Sequence, residues 1–97
     1  MKITSSRQFT AELKAILNFY LARSEQASIK FRNDLFAKIE SIPYMPYRFR
    51  KNKSANEENI RDLVFKGYVV VFRIDDTTIK ILSIYRYNLP SLLEDEF

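Results

Sequence analysis

Ninety-seven residues, 46% apolar and 14% aromatic, with a formal net charge of +4, are enough for one domain with one modest core and point away from disorder. With no cysteine there are no disulfides or thiolate metal sites, and with no histidine the usual general base near neutral pH and imidazole-bound metals are missing. No apolar run approaches the roughly 18 residues of a membrane span, and the opening "MKITSSRQFTAEL" lacks a leader's apolar stretch, so a cytoplasmic protein without metal, cofactor or membrane is expected.

Lys2 to Thr4 is a short strand candidate, expected to pair at a sheet edge. Ser5 and Gln8 follow at capping-box spacing. Phe9, Leu13, Ile16, Leu17, Tyr20 and Leu21 recur at steps of three and four, which predicts an amphipathic helix from about Arg7 to Arg23. Ser24 can cap a second helix, with Glu25 favourable in its first turn. Its buried stripe is Ala27, Phe31, Leu35, Ile39 and Ile42, and Pro43 ends it. The short join predicts an antiparallel helical hairpin.

"PYMPYRFRKNKSANEEN" breaks all periodicity and reads as a long loop. Within it, Tyr47 to Lys53 carries Arg48, Arg50, Lys51 and Lys53 and no acid. Cations interleaved with aromatics suit a polyanion, through phosphate pairing and stacking; a solvated basic loop is the plainer alternative.

Strands are predicted at about Asn59–Phe65, Tyr68–Asp75 and Thr78–Tyr87. Gly67, the one glycine of the chain, lies between the first two and predicts a two-residue hairpin turn with positive φ. Asp76-Thr77 marks the second turn. Leu89 to Phe97, "LPSLLEDEF", is a short terminal helix or a loose tail. The order βααβββ predicts an α+β fold: a two-helix antiparallel hairpin on one face of a small, mainly antiparallel twisted sheet.

With two-residue turns, the pleat assigns faces. One carries Leu63, Phe65, Tyr68, Val70, Phe72, Ile74, Ile79, Ile81 and Tyr85 and should receive the helices. The other carries Val64, Val69, Val71, Leu82 and Ile84, rimmed by Arg73, Lys80 and Arg86. That face is apolar enough to want a cover. Arg73 and Lys80 fall opposite each other, which requires a nearby acid or a different turn. Arg61 reads first as an ion-pair partner of Glu57, Glu58 or another carboxylate.

The short first strand, the helical hairpin ending in "SIPYMP", the Arg-x-Leu element "IRDL" and "GYVVVFRIDDTTIKILSIYR" together resemble the RelE/ParE toxin superfamily, with its plasmid-stabilisation branch. The resemblance covers nearly the whole chain. It implies a toxin of a type II toxin–antitoxin system, neutralised by a cognate antitoxin. It also implies a target: the ribosome and its mRNA for RelE-like ribonucleases, DNA gyrase for ParE-like toxins, which need no catalytic residue.

Ribonucleolytic members commonly place an arginine after the Gly-Tyr pair, where this chain has Val69. Others place a histidine and a tyrosine where it has Tyr87 and Asn88. Both features are missing, which sets the ParE-like mode ahead of the ribonuclease and leaves enzymatic activity open. Lys51, Lys53, Arg73, Arg86 and Tyr87 are the substitute candidates for chemistry at a phosphate. Arg48, Arg50, Lys51 and Lys53 are the candidate target contacts. Val64, Val69, Val71, Arg73, Lys80, Leu82, Ile84 and Arg86 form the candidate antitoxin surface. A non-toxic binding module on the same fold is the third reading.

Overall fold

A computed structural model of the chain describes residues 1–86. Strand β1 (Lys2–Ser5) leads into helices α1 (Arg7–Leu21) and α2 (Glu25–Glu40), followed by two 3-10 turns, Ile42–Tyr44 and Pro46–Arg48. Strands β2 (Arg50–Lys51), β3 (Ile60–Phe65), β4 (Tyr68–Ile74) and β5 (Thr78–Arg86) complete it. The sheet order is β1-β5-β4-β3-β2. Among the described residues only the β1–β5 pair is parallel, and β1 lies at an edge as expected.

The cap of α1 is Ser6, not Ser5. The Phe9 amide donates to Ser6 Oγ at 3.0 Å, and that hydroxyl donates to the Leu82 carbonyl at 2.7 Å. Phe9 occupies the position a capping box gives to Glu or Gln, so no reciprocal bond forms. Ser24 caps α2 as expected, accepting from the Ala27 amide at 2.9 Å. Gly67 has φ +82° and Lys66 φ +48°, the two positive values of the hairpin turn predicted between β3 and β4. The second turn also has two residues: the Asp75 amide bonds to the Thr78 carbonyl at 2.9 Å.

The helices cover one face of the sheet. Phe9, Leu13, Phe31, Leu35 and Ile39 pack against Leu63, Val70, Phe72, Ile79 and Ile81. Each such burial contributes about 1.5–3 kcal/mol gross. Phe31 stacks on Tyr20 and meets Phe65 and Tyr68 edge-on.

Two expectations need correction. The long loop contains β2, which pairs Arg50 with Asp62 and Lys51 with Arg61. A two-residue edge strand is too short for any sequence periodicity to reveal it. Second, β5 carries a bulge: Val71 faces Ser83 and Phe72 faces Ile81, leaving Leu82 extra. One inserted residue reverses the alternation beyond it. Ile84 therefore enters the helix-side core, and Tyr85 turns outward to the open face. Arg86, opposite Tyr68, moves to the helix side, with its guanidinium 5.6 Å from the Tyr68 ring.

Candidate functional site

The face of the sheet away from the helices presents Val64, 46% exposed, and the half-buried Val71 and Leu82. Val69, beside Val64 in the register, is fully buried and offers a partner no surface. Arg73 and Lys80 do lie opposite each other. The acid this pairing demanded is Asp75, whose carboxylate lies 3.2 Å from Arg73 Nε.

Asp62 also points to this face, in the row Arg50–Asp62–Val71. It is only 6% exposed, yet it is matched on both oxygens. Arg50 Nε donates to one at 3.2 Å, and Asn52 Nδ2 to the other at 2.7 Å. Asn52, itself buried, accepts from the Ala55 amide at 2.8 Å and so folds the chain after β2 back over Asp62. A buried carboxylate met this way ties the basic segment to β3. Arg50, Lys51, Lys53, Asp62 and Tyr85 are among the groups around a recess of about 310 Å³.

Arg61 performs the matching task on the helix-facing side, where it is 9% exposed. It pairs with Glu58 at 2.7 Å, the partner expected from the sequence. It also donates to the carbonyls of Glu58, Phe49 and Tyr47, at 2.8, 3.0 and 3.4 Å, and lies 4.9 Å from the Tyr47 ring centre. One guanidinium thus organises the preceding loop, which a lysine's point charge would not do.

The basic segment is not one patch. Pleating sends Arg50 to the open face and Lys51 to the side of Arg61, where Lys51 Nζ is 3.8 Å from Glu58. Arg48 turns toward the end of α2, bonding to Ser41 Oγ at 3.2 Å and lying 4.2 Å from the Phe49 ring centre. Two of the chemistry candidates, Arg73 and Arg86, are dispersed too. Arg73 lies on β4 and Arg86 lies opposite Tyr68, five residues earlier on the same strand, roughly 17 Å away at strand rise. They also lie on opposite faces. Tyr87 and Asn88 lie outside the described residues, as does Leu89–Phe97.

Among the described residues, Tyr68 and Asp34 have displaced titrations. Burial, reinforced by Tyr20, pushes the Tyr68 phenol up, with Arg86 opposing. That keeps the Tyr68 phenol protonated at neutral pH. Lys66 and then Lys30 hold the Asp34 carboxyl below its ordinary value. Among the described residues, no helix is long and apolar enough to cross a membrane.

Residues 3–86 match the family described as ParE toxin of type II toxin-antitoxin system, parDE. The chain belongs to the ParE toxin family. Comparison with curated protein sequences returns no significant match. Among solved structures it is similar to one described as "Chromosomal ParDE TA system from P. aeruginosa", with 21% identity and a TM-score of 0.75 over 91% of this chain and 97% of that one. At that identity the likeness bears on the fold.

The ParE family is the toxin half of a type II pair, so an antitoxin partner is implied. In this ParE-family toxin the sequence reading missed Asp62 and Asn52, the buried polar pair that seats β2. The available signal was an acid inside an otherwise apolar strand, "IRDLVF", two residues before Val64 on the same face.

Proposed function

We propose that this toxin acts in the cytoplasm as a ParE-like inhibitor of DNA gyrase, without a catalytic residue of its own, and is neutralised by an antitoxin that covers the open sheet face. One observation carries the gyrase reading: Arg73 and Arg86, two of the cations offered for phosphate chemistry, are far apart and each already engaged. Arg73 is tied to Asp75 at one end of the sheet, while Arg86 sits over Tyr68 at the other. The position where ribonucleolytic relatives place an arginine is the fully buried Val69. In-line cleavage needs groups preorganised around one scissile phosphate, and this dispersal disfavours it.

For the antitoxin, the open face offers Val64, Val71 and Leu82 with Arg73 and Lys80 beside them. An acidic segment with apolar side chains that orders on binding matches both features. Ile84 and Arg86 are not part of that surface.

The ribosome-dependent ribonuclease is the second reading, favoured by the recess bordered by Arg50, Lys51, Lys53, Asp62 and Tyr85. Inducible expression in bacteria separates the readings. Lost supercoiling with a DNA-damage response is the expected result. Prompt translation arrest with cut mRNA would replace the gyrase reading with the ribonuclease. Normal growth would leave a non-toxic module.

A further inference from the structure

The segment between α2 and β2 is built unlike an ordinary connection. It is anchored at both ends: Ile42 is fully buried, and Phe49 meets the core residue Phe72 edge-on at 5.5 Å. Between these anchors Pro43 and Pro46 each open a 3-10 turn. Two arginines hold it from either side. Arg48 donates to Ser41 Oγ and, at 3.4 Å, to the carbonyls of Ser41 and Met45. Arg61 holds the carbonyls of Tyr47 and Phe49.

All this order presents apolar surface to water. Tyr44 is 86% exposed, Met45 57% and Tyr47 51%. Scattered exposed hydrophobics are ordinary. Three within four residues, at the tip of a doubly pinned turn, are not explained by core packing. Tyr, Met and Arg are the residue types enriched where protein partners meet, and rigidity reduces the ordering cost of binding.

We infer that Tyr44, Met45 and Tyr47 form the anchor that the toxin inserts into an apolar pocket with an acidic rim on its protein target. This rests on the reading of the chain as a toxin that acts by binding, and adds the surface that binds. Tyr44 is almost fully exposed, so a partner that buries it must surround its side chain with a concave surface. Arg48, which bonds to the Met45 carbonyl beside the tip, sets the sign of the rim. A single-stranded nucleic acid fits less well. Base stacking needs open ring faces, and the Arg61 guanidinium already lies over Tyr47. Met45 offers no face at all. The tip is also separate from Val64, Val71 and Leu82, so target and antitoxin use different surfaces.

The test uses the full chain with three variants: Tyr44→Ala, Tyr44→Ala with Met45→Ala, and Met45→Glu. Each is scored for melting temperature, growth inhibition, affinity for purified gyrase, affinity for the antitoxin encoded beside it, and binding of a fluorescent oligo-dT. The double variant should lose growth inhibition and bind gyrase at least about 30-fold more weakly, the scale of an interface hot spot. Melting and antitoxin affinity should stay at wild-type values. Met45→Glu should do the same by opposing an acidic rim. Undiminished growth inhibition by the double variant overturns the inference. So does a loss of antitoxin affinity instead, or wild-type oligo-dT binding that the double variant abolishes. Growth inhibition by the wild type without any effect on supercoiling, but lost in the double variant, would refute gyrase as the target and leave the anchor standing. A wild-type chain that leaves growth unaffected overturns both.

Discussion

Replacing Gly67 probes backbone strain with little else mixed in. Its φ of +82° lies in the region that L side chains resist, and a Cβ placed there meets no atom within 4 Å. Steric contact with the rest of the fold therefore adds nothing, and the conformation itself is the cost. A left-handed residue costs an L-amino acid about 1–2 kcal/mol. Restricting the unfolded chain returns about 0.4–1 kcal/mol. Gly67→Ala should thus lose on the order of 1 kcal/mol, or roughly 4–8 °C in melting temperature for a domain of this size. Gly67→Val should lose about 2 kcal/mol or more, because a β-branched side chain crowds its own backbone there. Gly67→Asn should lose least, since Asn tolerates the left-handed region. Thermal and urea unfolding followed by circular dichroism measure the series, with an unchanged urea slope confirming that compactness is untouched. Equal losses for Asn and Val, or a Val variant that melts with the wild type, would refute the strain argument.

Ser6→Ala removes both the α1 cap and the bond to the Leu82 carbonyl, and should cost about 1–2 kcal/mol, whereas Ser5→Ala should stay within about 0.5 kcal/mol in the same melts. Asp62→Ala leaves Asn52 without its partner and should cost about 1–3 kcal/mol, with faster amide exchange at Asn52 and Asn56, whose amides bond to the Ile60 and Asn52 carbonyls. Asp34 has a folded pKa below its ordinary 3.8, so its contribution is present above that value and fades as pH falls through the lower folded one. The melting difference between wild type and Asp34→Asn should accordingly shrink below about pH 4, and 1 M salt should shrink it at neutral pH, because the pair with Lys66 is exposed. Val71→Asp should weaken the antitoxin complex, measured by titration calorimetry, more than Lys80→Ala does. The first buries a charge against apolar side chains, while the second removes a rim cation that acts mainly on association rate.

Much of the fold was legible because local physics dictated it. The steps of three and four in Phe9–Leu13–Ile16–Leu17 and Phe31–Leu35–Ile39 admit one buried helix stripe each. Ser24 caps α2 by hydrogen bonding within a few residues, while the end expected at Pro43 comes earlier, at Glu40, with Ile42 and Pro43 in the next 3-10 turn. Gly67 marks the first hairpin because a two-residue turn requires positive φ. Arg61 reads as structural because Glu58 lies three residues away, whatever else surrounds it. The ParE-family resemblance follows from the order of these elements.

Tertiary structure decided the rest, wherever the outcome depended on residues distant in sequence. The bulge at Leu82 lies where β5 meets β4 on one side and the Ser6 cap of α1 on the other, and no pattern within "IKILSIYR" announces it. That single extra residue moved Ile84 and Arg86 off the open face and Tyr85 onto it. The pairing of Arg50 with Asp62 spans 12 positions and created a strand where composition suggested only a loop. The same pairing split a compact run of cations between two faces, because a pleated strand sends neighbours in opposite directions.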